Sequence, residues 1–278
     1  MDATVEAPLP VNPKDSARRK PRRRRIMLIF CLLFVLPLLA RAALIPFDDR
    51  PMRWSQADWS SIGALPPAAQ SKPARVLVLA GRTVGLKGTV ALHTWIVLKR
   101  ENARSWTRYD VVGWGNPVRL NGWAPDGRWY GDPPIKIADI EGAEAEALIP
   151  KMEAAIKEYP FSRSGDYRLW PGPNSNTFVA AVLRAVPEMG AVTAPNAIGR
   201  DFREGFYAGL SDSRTGIEVN LYGLLGLKLG WVEGIEINFL GLVAGLDIRR
   251  PALKLPGFGR IGLPEWLGGS ATVFEPRA

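Results

Sequence analysis

A chain of 278 residues, 47% hydrophobic and 23% charged, suits one ordinary globular domain with appendages. Its net charge of +9 is concentrated at the start, where residues 1–25 carry eight basic against three acidic side chains. The rest lacks the basic excess of a nucleic-acid-binding surface, so no nucleic-acid partner is expected. The single cysteine, Cys31, excludes an intrachain disulfide, and lying inside an apolar run it cannot serve as a thiol nucleophile in a soluble site.

Residues 1–25 read as a basic, disordered cytoplasmic tail ending in Arg22 to Arg25. Ile26 to Ala40 follows without a charge, and eleven of its fifteen residues are Leu, Ile, Phe or Val. These contribute about −3 to −7 kcal/mol toward insertion, reduced by Pro37. Fifteen helical residues span about 22 Å, and extending the segment to Ile45 reaches the ~30 Å of a hydrocarbon core if Arg41 snorkels. Residues 26–45 are therefore expected to be a single transmembrane anchor in the inner (cytoplasmic) membrane. Arg22 to Arg25 would hold the N-terminus in the cytoplasm and the rest would be periplasmic or extracellular. Ala40-Arg41-Ala42 also has the spacing of a cleavage site, and a cleavable signal segment gives the same placement.

Residues 46–74, rich in Pro, Ser and Ala, read as a tether in which Trp54 and Trp59 rest either in the headgroup layer or on the domain. Residues 75–190 read as an α+β core and 191–278 as a β-rich extension. Strands are expected at Arg75 to Ala80, Thr89 to Leu98 and Trp106 to Val112, with a turn at Arg100 to Arg104. Gly113 to Pro134 is a long loop bearing Trp114, Trp123, Trp129 and Tyr130, whose rings either cover the core or bind a ligand. Asp139 is expected to cap a helix running to Glu158, and a second helix is expected from Asn176 to Val186, ended by Pro187.

An internal repeat follows: 216–224 reads GIEVNLYGL and 234–242 reads GIEINFLGL. Alternation with period two predicts two half-buried strands. Ile217, Val219, Ile235 and Ile237 are expected inside, with Glu218, Asn220, Glu236 and Asn238 in solvent.

His93 is the only histidine and lies within the second expected strand. Asn174-Ser175-Asn176-Thr177-Phe178 opens the second helix, where Asn and Ser are good caps. The strand string G-x-x-x-x-H-x-W (Gly88 to Trp95), followed by N-[C/S]-x-x-F at a helix start, resembles circularly permuted papain-like proteins of the NlpC and lecithin retinol acyltransferase type. The string Gly172 to Phe178 is also similar to one shared by an uncharacterised bacterial family of membrane-anchored proteins.

The resemblance implies a papain-like core with Ser175 at the nucleophile position and His93 as base. Asp110 is expected as the orienting group, close to His93 if the turn centres on Asn102. Asn174, Asn176, Trp95 and Trp114 are the expected substrate contacts. The family pattern has cysteine where this chain has Ser175, and a hydroxyl depends wholly on its base.

The expected whole is α+β: an antiparallel sheet with two or three helices, a C-terminal hairpin repeat and one membrane helix. Two functions fit it. One is a hydrolase or acyltransferase acting on amide or ester bonds of peptidoglycan or lipid. The other is an inactive binding module of the cell envelope. No metal or cofactor signature is present.

Overall fold

The computed structural model describes residues 13–262, with side chains from residue 22. Residues 1–12 of the expected tail and 263–278 of the extension lie outside the described residues. The chain is α+β, with two antiparallel sheets. Helix α1 (Pro13–Phe30) passes through a π turn at Cys31–Val35 into α2 (Leu36–Ala42). The basic run Arg22 to Arg25 is thus helical instead of disordered. Pro37 has no N–H for the carbonyl four residues back, and the wide turn before it accommodates that missing bond. The 26-residue segment Arg22–Phe47 contains an 18-residue window with a mean hydropathy of 2.6 and is long and apolar enough to cross a membrane.

The first sheet holds β1 (Arg75–Arg82), β2 (Leu92–Lys99), β3 (Thr107–Val111), β4 (Val118–Leu120) and β5 (Ile135–Glu141), in the order β4-β3-β2-β1-β5. Three elements lie off the expected lines. The second strand starts at Leu92, because Gly85–Val90 turns as the short helix α3. Val118–Leu120 pairs as β4 within the expected loop. Asp139 caps nothing: it lies in β5, paired with Leu77, and its carboxylate takes Arg75 at 2.8 Å. The helix, α4 (Ala143–Lys157), begins only after Gly142, whose φ of 82° suits a residue without a Cβ. Helix α5 (Ser175–Ala185) is close to its expected limits.

Strands β1 and β2 are buried on both faces. On one, Val76, Val78, Ile96 and Leu98 pack against Ile149 and Met152 of α4 and Phe178 and Val182 of α5. On the other, Leu77, Leu79, Trp95 and Val97 are covered by Ile62 and Ala64. The expected tether is therefore a strap. Asp126 secures it by accepting hydrogen bonds from Ser61 Oγ (2.6 Å), Ala64 N (2.8 Å) and Leu65 N (3.1 Å). Without the strap, that sheet face would stand in water.

The second sheet is a seven-stranded meander: β6 (Phe206–Leu210), β7 (Gly216–Leu221), β8 (Leu225–Gly230), β9 (Gly234–Phe239), β10 (Leu242–Asp247), β11 (Ala252–Leu255) and β12 (Gly259–Gly262). The repeat forms β7 and β9, which flank β8. Their faces are the reverse of expectation. Glu218, Asn220, Glu236 and Asn238 are all under 7% exposed, whereas Ile217 is 59% and Ile237 46% exposed.

The physical reason is a set of cations that strand alternation does not reveal. Lys228 on β8 pairs with Asp201 (2.6 Å) and Asp212 (2.5 Å). Arg203 pairs with Glu218 at 2.8 Å, and Glu236 pairs with Arg200 and with Lys254 (2.6 Å). Burial favours a neutral Lys228, but Asp201 and Asp212 overcome it and raise its pKa. Buried carboxylates need partners, which are cations here and neutral N–H and O–H donors at Asp126.

Glu236→Ala leaves Lys254 without its carboxylate and Arg200 with Asp201 alone, and is expected to cost about 3–5 kcal/mol. Ile235→Ala is expected to cost under about 0.5 kcal/mol, as at a surface position. Urea unfolding of the detergent-solubilised chain, followed by tryptophan fluorescence, measures both. The opposite ranking would mean that the two faces of the sheet are assigned the wrong way round.

Candidate functional site

The site is built around the start of α5. Asn174 caps the helix: its Oδ1 accepts from Asn176 N (2.9 Å) and Thr177 N (3.1 Å), while Thr177 Oγ1 accepts from Asn174 N (3.1 Å). Asn174 Nδ2 donates to the carbonyls of Leu169 and Ile198. A Cβ on Gly199 would come within 2.3 Å of this amide, so only glycine admits the approach. Asn176 pins the helix to β2, accepting from Thr94 Oγ1 (2.9 Å) and donating to the carbonyls of Leu92 (2.9 Å) and Ile198 (2.8 Å).

Both asparagines are thus occupied within the chain. They position the helix start and have little capacity left for a substrate. Ser175 between them is 4% exposed, and among the described residues no group hydrogen-bonds its Oγ.

His93 comes from β2. Its Nε2 lies 2.8 Å from Asp110 Oδ1 on β3, and its ring stacks on Trp129 at 3.6 Å and 8°. Arg108 holds Asp110 from the far side, through Nε to Oδ2 (2.7 Å) and Nη2 to Oδ1 (2.9 Å). Arg108 and Asp110 are fully buried.

Burial alone would raise the Asp110 pKa, but Arg108 and His93 hold the carboxyl below its ordinary value. An ionised carboxylate only accepts, so Nε2 of His93 carries the proton that faces it. Burial lowers the His93 pKa further than Asp110 raises it, so the ring is neutral at pH 7. Nδ1 is then an unprotonated base, and among the described residues nothing hydrogen-bonds it.

His93 and Ser175 border one cavity of about 300 Å³, walled by Trp114, Trp129, Tyr130 and Trp170. They reach it from opposite sides of the sheet. Thr94 faces α5, whereas His93 shares the strap side with Trp95 and Trp129. The cavity wraps around the end of β2. Trp114 is 53% exposed at its wall. Trp95 does not line it: the ring is fully buried, donates to the Pro125 carbonyl at 3.0 Å, and lies 4.1 Å beneath the Arg108 guanidinium.

Arg108 and the Trp129 stack had not been expected. The Arg-x-Asp spacing of Arg108 and Asp110 on a strand, which sets both side chains on one face, was the signal for the first. Nothing local marks which tryptophan of the long loop covers the histidine.

The sequence of residues 73–202 matches the model of a family described as "Protein of unknown function (DUF3750)". No curated protein and no solved structure matches the chain, so the papain-like likeness rests on the two short strings alone. The match begins just before β1, takes in the first sheet, α4, α5 and every cavity residue from Thr83 to Ile198, and stops before β6. The strap and Trp54 precede it. The segment similar to that uncharacterised family thus lies between an apolar N-terminal helix and a seven-stranded sheet.

Proposed function

We propose that the cavity is the active site of a serine-dependent hydrolase or acyltransferase acting on an ester or amide bond of a cell-envelope substrate. One observation carries the reading: Asp110 takes the Nε2 proton of His93, leaving Nδ1 as a free base in the cavity that the unbonded Ser175 Oγ also borders. In this chemistry a water in the cavity relays the Oγ proton to Nδ1, since the two groups enter from opposite sides of the sheet, as Oγ attacks the carbonyl carbon. The tetrahedral oxyanion develops beside the positive end of α5. The imidazolium then protonates the departing alcohol or amine, and the acyl group on Ser175 passes to water or to an acceptor hydroxyl. Asp110 stabilises the imidazolium and fixes its orientation. The aromatic walls favour a substrate with an apolar portion, and a lipid fits them better than a peptidoglycan peptide.

The membrane helix supports a single-pass anchor. The Arg22 to Arg25 run favours a cytoplasmic N-terminus and a site on the far side of the inner membrane. Alkaline phosphatase fused after Ala278 is expected to be active, and a reporter that works only in the cytoplasm silent. The opposite pair of results would overturn this placement.

A fluorophosphonate probe is expected to label the full chain at Ser175. Ser175→Ala should abolish labelling, and His93→Ala should slow it about 100- to 10,000-fold. Since burial lowers the His93 pKa below 6.5, the base stays neutral into mild acid. Labelling should therefore hold steady through pH 6.5 and fall only as the pH drops through that lower value. In Ser175→Cys, the helix start and His93 should make the introduced thiol react with iodoacetamide faster than a free thiol at neutral pH. Two results together would reduce the cavity to an aromatic-walled binding pocket. They are a folded chain that the probe leaves unlabelled and a Ser175→Cys variant whose thiol is no more reactive than a free one.

A further inference from the structure

The second sheet turns the wrong face to solvent for a water-soluble protein. Cross-strand pairing aligns its outward residues in rows. One row runs from Leu210 on β6 to Ile261 on β12, and every strand contributes a leucine or isoleucine to it. The members of this row are 39–59% exposed. A second row includes Val219, Leu227 and Ile237, and a third joins Phe206, Leu221, Leu225 and Phe239. Every outward position on the seven strands is apolar or glycine. Seven strands about 4.8 Å apart and four to six residues long make a face of roughly 500–600 Å², near the upper limit for the largest patch on a soluble monomer. The sheet cannot turn over, because its other face carries the ion pairs of Glu218, Lys228 and Glu236.

We infer that this face contacts the lipid bilayer that the N-terminal helix enters. The helix itself identifies the occupant, since it already lies on the face. Phe30 and Phe34 pack against Phe239 with ring centroids 5.1 and 6.0 Å apart, and the π turn Cys31–Val35 contacts β10. Ala244, which shares a face with Ile237, is 1% exposed there. On the helix, Phe34 and Pro37 turn inward, while Leu28, Leu32, Leu36 and Leu39 remain half or more exposed. Helix and sheet therefore present one continuous apolar surface, and the medium that solvates the first half reaches the second.

The ends of the strands fit the same medium. Arg214, Trp231, Arg249 and Arg250 are exposed at the three turns along one end of the sheet, where tryptophan suits the interface and arginine suits anionic headgroups. Open strand edges do not persist within hydrocarbon, so β6 and β12 keep their backbones at the boundary. The face therefore meets the bilayer beside the helix, with β9 and β10 held to Phe30 and Phe34.

The test uses the full chain with Cys31→Ser and one new cysteine. Leu227→Cys sits mid-face, and Glu144→Cys on α4 is the exposed control. Each is labelled with an environment-sensitive nitrobenzoxadiazole fluorophore. Each is then reconstituted in phosphatidylethanolamine–phosphatidylglycerol vesicles, with or without nitroxide-bearing acyl chains. At position 227 we expect acyl-chain nitroxide to quench several-fold more strongly, and aqueous iodide several-fold more weakly, than at position 144. Equal iodide quenching at both positions would overturn the inference. So would protection of position 227 from both quenchers, which marks a face buried against a second copy. Ile217→Cys and Leu229→Cys repeat the measurement on neighbouring strands, so that a failed Leu227 variant still leaves a decisive result.

Discussion

Carboxylates buried beneath a sheet need partners, and the cations that meet them under the second sheet organise this molecule. Arg200, Arg203, Lys228 and Lys254 meet Asp201, Asp212, Glu218 and Glu236 under the second sheet. The pairing decides which face of the sheet is inward and hence which face is left apolar outside. It also reaches the cavity. The segment supplying Arg200 and Asp201 begins with Ile198 and Gly199, whose carbonyls accept hydrogen bonds from Asn174, Asn176 and Thr177. Four consecutive residues thus hold the start of α5 at one end and clasp the second sheet at the other.

Labour in the cavity is divided between neighbours in sequence. Asn174 and Asn176 commit their hydrogen-bonding capacity to the scaffold, and Ser175 between them commits none. On the facing strands the order runs from rigid to reactive: Arg108 is locked over Trp95, Asp110 is locked to Arg108, and His93 is oriented by Asp110 with one nitrogen left free. For the chemistry proposed above, a base held by two buried partners would need little reorganisation before reaction.

Much of the first sheet was legible because its signals are local. β1, β2, β3 and α5 follow from aliphatic runs and an Asn cap, and the turn at Asn102, whose φ is 55°, brings Asp110 to His93. The failures share another cause. Period two in the repeat defines two faces without saying which is inside, because the answer lies in cations as distant as Arg200 and Lys254. Residues 46–74 read as a tether because their buried contacts are few, chiefly Ile62 and Ala64, and are anchored by Asp126 more than sixty positions away. Asp139 is a good cap by type, yet Arg75 and Lys136 give its carboxylate better use within a strand. Trp95 misled in the same way: the motif marked its position, but only the packing shows it to lie in the core beneath Arg108, off the cavity.

The meander has a consequence for the order in which the chain can assemble. Each strand pairs with the next, so hairpins close over short loops and can form as the chain emerges. The neutralising charges do not keep that pace. Glu236 on β9 has Arg200 behind it, but Lys254 comes eighteen residues later. By β8 the pairs of Glu218 with Arg203 and of Lys228 with Asp201 and Asp212 already mark the inner face, while Glu236 stays incompletely matched until β11 emerges. The early hairpins can therefore choose their inside, and β11 is the latch that completes it.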